Sequence, residues 1–152
     1  MARVVVGGTF DPFHDGHRAL LGRAYELSRG GELMIGLTSD RMAKGKSHKV
    51  GDYRMRYDSI RRFFGEHGID PVIVKLDDPY GPTLSEDFDY IVVSPETYPT
   101  ALRINEKRKE KGLEPIEIVL VDYVLAEDGL PISSSRISRG EIDEHGRVLD
   151  KV

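Results

Sequence analysis

Two histidines three residues apart, His14 and His17, close the run Gly7-Gly8-Thr9-Phe10-Asp11-Pro12-Phe13-His14-Asp15-Gly16-His17. On the first turn of a helix that spacing turns both imidazoles to one side. There they can donate hydrogen bonds to an anion and, when protonated, add positive charge. Gly7 and Gly8 let the backbone approach a phosphate closely, and the Thr9 hydroxyl is one more donor. Far along the chain, Pro131-Ile132-Ser133-Ser134-Ser135-Arg136-Ile137 sets three hydroxyls and a guanidinium at what reads as a helix start, a donor set suited to a polyphosphate. Between the two, the basic stretch from Ser39 to Gly51 carries Lys44, Lys46 and Lys49.

Each of these features also has a plainer reading. Two glycines after a strand commonly make a turn, and serines before a helix commonly cap it. His14 and His17, with Asp11 or Asp15, could instead ligate zinc or another cation. No Gly-Lys-Ser/Thr follows the glycines, so the run is not a P-loop, and it lacks the Gly-x-Gly-x-x-Gly spacing of dinucleotide-binding turns. Asp11 and Pro12 read as shaping the turn, His48, His67 and His145 as surface residues, and Tyr80, Phe63 and Phe64 as packing residues.

The elements that would position these residues alternate. Strands are predicted at Arg3 to Val6, Leu33 to Leu37, Pro71 to Leu76, Tyr90 to Val93 and Ile116 to Val121, from their short apolar, β-branched runs. Helices are predicted from Asp15 to Ser28, Tyr53 to Phe64, Ser94 to Lys111 and Ser133 to Arg139. In the third of these, Ser94 reads as the cap and Pro95 as the first helical residue. The lysine-bearing stretch from Ser39 to Gly51 reads as an exposed loop. Such alternation implies an α/β fold, a doubly wound, Rossmann-like parallel sheet of about five strands with helices on both faces. It is read as one domain over residues 1–152. In such sheets ligands bind at the carboxyl ends of the strands, where the first motif lies.

Composition narrows the classes. The chain has 152 residues, 39% hydrophobic and 32% charged, which describes a globular protein with a charged surface. A net charge of −4 argues against a nucleic-acid partner. No apolar stretch approaches the roughly 20 residues that span a bilayer, so no membrane partner is expected. With no cysteine there is no thiolate nucleophile or disulfide framework, and with no signal-like start the expected location is the cytoplasm. Asn105 is the single asparagine and glutamine is absent, a depletion expected of a protein from a hot environment.

The ordered run Gly-Thr-Phe-Asp-Pro-x-His-x-Gly-His after the first strand resembles the signature of the HxGH nucleotidyltransferase superfamily. The Ile132 to Ser135 segment is similar to the serine-rich motif near the carboxyl end of the same enzymes. Val92-Val93-Ser94-Pro95-Glu96-Thr97, the stretch from Ile104-Asn105 to Arg108, Ala126-Glu127-Asp128-Gly129 and Gly140-Glu141-Ile142-Asp143 extend the likeness along essentially the whole chain, to phosphopantetheine adenylyltransferases of the archaeal and eukaryotic type.

The resemblance implies transfer of AMP from ATP, accompanied by magnesium, to 4′-phosphopantetheine, giving dephospho-coenzyme A and pyrophosphate. By resemblance His17, His14 and Lys44 carry catalysis. ATP lies on Gly8, Thr9, Phe10, His14, His17, Ser133, Ser134, Ser135 and Arg136. The acceptor phosphate meets Thr9 and Lys44, with Lys46 as substitute. Bacterial members carry an arginine in a Gly-Leu-Arg segment after the fourth strand, where this chain has Ser94 to Thr97, so Arg103 or Arg108 is expected to supply that charge. Other acceptors of the superfamily (nicotinamide mononucleotide, or glycerol 3-phosphate with CTP), a non-catalytic nucleotide sensor, a metal-dependent hydrolase, and either a monomer or a homo-oligomer remain open at this stage.

Overall fold

The computed structural model describes residues 1–46 and 48–149. Five strands, β1 (Arg3–Gly8), β2 (Glu32–Thr38), β3 (Val72–Leu76), β4 (Tyr90–Val93) and β5 (Glu117–Leu120), form one all-parallel sheet in the order β3-β2-β1-β4-β5. The chain winds outward from β1 to β3, then crosses back to lay β4 on the other side of β1 and continues to β5. The order therefore reverses between β1 and β4, and a crevice opens there above the strand ends.

Side-chain alternation along β1 divides the interior. Val4 and Val6 point to one face, where Leu20, Leu21 and Ala24 of α1 (Asp15–Ser28) and Ile60 and Phe64 of α3 (Tyr53–Gly65) cover them. Val5 points to the other face and packs with Ala101 and Ile104 of α4 (Tyr98–Glu110). The central strands are buried on both faces, which is why they read as unbroken apolar runs. Asn105, the lone asparagine, pairs with both backbone groups of Ile116 at 2.8 Å and so pins α4 to the approach of β5. A smaller cluster of Ala126, Ile132 and Ile142 fastens the carboxyl-terminal segment, which carries α5 (Ser134–Ser138).

Two expectations change. The lysine-bearing stretch is not all loop: it opens with a short helix, α2 (Asp40–Ala43), because the Ser39 hydroxyl accepts the Met42 N–H at 3.3 Å. The helix predicted from Ser94 starts later, at Tyr98. Ser94 to Thr97 form a turn that leads into it: Thr97 Oγ1 accepts the Ser94 N–H at 3.1 Å and the Ser94 carbonyl accepts the N–H groups of Thr97 and Tyr98. No helix among the described residues is long and apolar enough to cross a membrane.

Candidate active site

β1 runs out at Gly8, and the next residues are forced into a tight arrangement by two ring contacts. Phe10 is buried with a left-handed φ of 56°, a conformation that costs a non-glycine residue free energy. Its ring lies over Gly8, where a Cβ would stand 2.9 Å from ring carbons. The same ring meets His17 edge-on, and Phe13 stacks on His17 from another side.

His14 is the N-cap of α1. Its Nδ1 accepts the Gly16 N–H at 3.0 Å, while Nδ1 of His17 accepts the N–H of His14 at 3.2 Å. An imidazole nitrogen that accepts a backbone proton carries none, so in each neutral ring the proton sits on Nε2. The rings stack with centroids 3.8 Å apart. Gly16 is tied to this geometry, since a Cβ there would come within 2.7 Å of His14 Cε1. Burial, with the nearby Arg18 charge, pushes His14 down to about 4. Burial first, then the neighbouring His14 and the charges of Arg18 and Lys46, hold His17 well below the ordinary histidine value. At neutral pH without a bound anion both are therefore uncharged Nε2–H donors.

The first two N–H groups of α1 are occupied. Asp15 N–H donates to the Glu144 carbonyl at 3.0 Å, and that of Gly16 to His14. In this turn the imidazoles take the place of backbone donors.

The serine segment closes over the same turn. Ser133 caps α5 by accepting the Arg136 N–H, Ser134 donates to the Pro12 carbonyl at 2.9 Å, and Ser135 lies 3.3 Å from His48 Nδ1. Behind it Arg136 is engaged by Asp128 and Glu141 and does not line the cavity, so it braces the serine turn.

Two joined chambers result. One, of about 190 Å³, is lined by Thr9, Phe10, His14, His17, His48 and Ser133 to Ser135, with Asp122 to Val124 beyond β5. The second, of about 370 Å³, is lined largely by apolar groups, among them Met42, Leu76, Pro79, Tyr80, Pro82, Ile91 and Ala101. Gly7, Gly8, Thr9, Lys46 and Thr97 line both and mark the junction. Under the junction the wholly buried Arg56 donates to the carbonyls of Thr38 and Gly51 and to Asp40, binding β2, α2 and the start of α3 together.

The predicted residues distribute unevenly. Gly8, Thr9, Phe10, His14, His17 and the three serines come together. Lys44 is exposed and lines neither chamber; Lys46 reaches the junction and pairs with Glu96 at 3.7 Å. Arg103 is exposed and donates to Thr100 on its own helix. Arg108 is corrected outright: it is 1% exposed, and its guanidinium is committed to the carbonyls of Thr83, Glu86 and Glu114 and to Asp87, so it holds the wall of the apolar chamber from behind. Two residues read as surface or packing belong to the chambers instead, His48 to the first and Tyr80 to the second. Arg56, Thr38 and Glu96 were missed. Among the described residues no three His, Asp or Glu side chains converge on a point that could hold a metal.

The family pattern described as cytidylyltransferase-like matches residues 5–140. A Methanosarcina barkeri relative named phosphopantetheine adenylyltransferase is 56% identical over 155 residues, covering 100% of this chain and 96% of the relative. An Archaeoglobus fulgidus relative of the same name is 49% identical over 148 residues, covering 97% of this chain and 99% of its own. A crystal structure of an Archaeoglobus fulgidus protein of unknown function superposes with a TM-score of 0.76 at 46% identity, covering 79% of this chain and 89% of that one. Sheet order, motif and matches agree: the chain belongs to the cytidylyltransferase-like family.

Proposed function

We propose that this chain is a phosphopantetheine adenylyltransferase, moving AMP from ATP onto 4′-phosphopantetheine to give dephospho-coenzyme A and pyrophosphate. The observation that carries the reading is the pair of chambers meeting at Thr9 and Lys46. The hydroxyl- and imidazole-lined chamber suits a triphosphate, and the apolar one suits a long, flexible acceptor whose phosphate must end at the junction. The full-length relatives bear the same activity in their names. The substrates are small and water-soluble, which favours action in the cytoplasm.

In the reaction an oxygen of the acceptor phosphate forms a bond to the α-phosphorus of ATP as the bond to the β-phosphate breaks. The acceptor oxygen is already anionic, so no general base is needed, and positioning with charge stabilisation supplies the rate. The Nε2–H of His17 donates to a non-bridging α-phosphate oxygen, strengthening as charge accumulates there. His14 donates beside it, Thr9 orients the incoming phosphate, Lys46 neutralises that phosphate, and the serine turn holds the outer phosphates. Magnesium enters with ATP as part of the substrate.

The test is pyrophosphate release with ATP and magnesium, offering 4′-phosphopantetheine, nicotinamide mononucleotide or no acceptor, and with CTP and glycerol 3-phosphate. Release only with 4′-phosphopantetheine, matched by equal dephospho-coenzyme A, is expected. Release with another acceptor would keep the mechanism and reassign the substrate. ATP binding without release in any mixture would make the chain a nucleotide sensor.

A further inference from the structure

His48 lies between α2 and α3, in a stretch with no helical or strand pattern, yet it is half-buried and lines the phosphate-suited chamber. Its Nε2 stands 2.9 Å from the carbonyl of Asp11, which can only accept, so the ring proton sits on Nε2. In the neutral ring Nδ1 is then an acceptor, and the Ser135 hydroxyl lies 3.3 Å from it. One imidazole thus joins three separate pieces: the loop that also bears Lys46, the turn after β1, and the first turn of α5. The Asp11 carboxylate adds a second tie to the same loop by accepting the Gly51 N–H at 2.7 Å.

We propose that His48 is a positioning residue for the nucleotide phosphates: Nδ1 accepts the Ser135 hydroxyl proton and so holds the serine turn, with Ser133, at the chamber wall, while Nε2 is anchored to the Asp11 carbonyl. This rests on the reading of the chamber as a triphosphate site. A side chain that merely stiffened the loop would need only the Asp11 bond. The contact with a second cavity-lining group, Ser135, is the part that bears on ligand binding.

The two bonds can be separated by substitution. His48→Ala removes both. His48→Asn retains a polar atom near the Nδ1 position and so keeps a partner for Ser135, whereas His48→Gln retains one near Nε2 and keeps the tie to Asp11. Binding of ATP, and of inorganic tripolyphosphate as a probe without a base, is measured by calorimetry with no acceptor present. Steady-state rates and thermal midpoints are measured beside it. His48→Ala is expected to weaken both ligands about tenfold, the worth of one well-placed hydrogen bond, to raise the KM for ATP in parallel, and to leave kcat within about twofold. His48→Asn is expected to recover most of the loss and His48→Gln little of it. Unchanged affinities in His48→Ala, or recovery in His48→Gln alone, would overturn the proposal. Because these affinities are read without acceptor, a failure to use 4′-phosphopantetheine would reject the substrate reading and leave the His48 result standing.

Discussion

The guanidinium of Arg56 lies 3.2 Å from the hydroxyl of Thr38, and that hydroxyl lies 2.9 Å from the one on Thr9. Arginine can only donate, so Thr38 Oγ1 accepts from it and keeps both a proton and a second lone pair for its bond with Thr9, in which either hydroxyl can donate. With Thr38 as the donor, Thr9 has its own proton to offer to the junction. Thr38→Val keeps the shape and deletes this relay. It is expected to lower turnover about tenfold, the scale of one hydrogen bond, and to shift the urea midpoint little. Arg56→Met removes the donor that reaches the half-buried carbonyls of Thr38 and Gly51. It is expected to cost roughly 3 kcal/mol of stability, read from chemical denaturation.

Gly16 tests the histidine turn from a different side. In an ordinary helix Gly→Ala adds roughly 1 kcal/mol, but here the new methyl would meet the His14 ring at 2.7 Å from Cε1. The ring must leave its capping position, and the stacked partner His17 moves with it. Gly16→Ala is expected to lose at least tenfold in turnover, since small misplacements of such groups are costly, with no gain in thermal midpoint. A stabilised, fully active variant would show that the His14 position is immaterial.

How much of this was legible in the chain depended on whether the partners were consecutive. Gly7 to His17 contains its own geometry, because Phe10 folds onto Gly8 and His14 onto Gly16 within a few residues. The sheet was legible for a similar reason: each central strand is buried on both faces and so appears as a short apolar run. His48 was not legible, because Asp11 and Ser135 lie 37 and 87 residues away from it. The two buried arginines do leave a signal in the sequence. Arg56 precedes Ile60 and Phe64 at i, i+4, i+8, and Arg108 follows Ala101 and Ile104 at i, i+3, i+7, so each lies in phase with its helix's apolar stripe. A charged residue in that phase must bring its own hydrogen-bond partners, and both do. Glu96 reads as part of a helix start because its turn runs directly into α4, the Ser94 carbonyl accepting the Tyr98 N–H.

The depressed histidine values make stability depend on pH in a fixed direction. His14 titrates at about 4 in the folded chain against an ordinary 6.5, so between those values the unfolded state binds the proton more readily. Its contribution is complete above pH 6.5 and is lost as pH falls towards 4, roughly 3 kcal/mol in all, and His17 acts in the same sense. Denaturant midpoints at pH 7 and pH 5 are expected to differ accordingly. His14→Ser retains an N-cap acceptor and is expected to flatten that difference. An unchanged slope in the variant would place the pH dependence elsewhere.

His17 is the group placed to follow charge onto the α-phosphate. His17→Ala also removes the acceptor for the His14 N–H, so about 1 kcal/mol of stability should be lost with it. Turnover is expected to fall by roughly 10²–10³ or more while circular dichroism shows a folded chain, the usual consequence of deleting one preorganised donor. Near-normal turnover would remove His17 from the mechanism.

The two lysines of the basic stretch separate the two ways of placing the acceptor phosphate. Lys44, at the end of α2, lines neither chamber, while Lys46 reaches the junction and is paired there with Glu96. That pair is exposed, so solvent screens it and an arriving phosphate can take Lys46 at little cost. Lys46→Ala is therefore expected to raise the acceptor KM by roughly 10- to 100-fold, the range for one charge-assisted contact, and Lys44→Ala to change it less than about twofold. Glu96→Gln removes the competing carboxylate and is expected to lower the acceptor KM, an effect that should vanish in the double variant with Lys46→Ala. If Lys44→Ala instead carries the loss, the acceptor phosphate sits beyond the end of α2, and the junction between the chambers is not where the new bond forms.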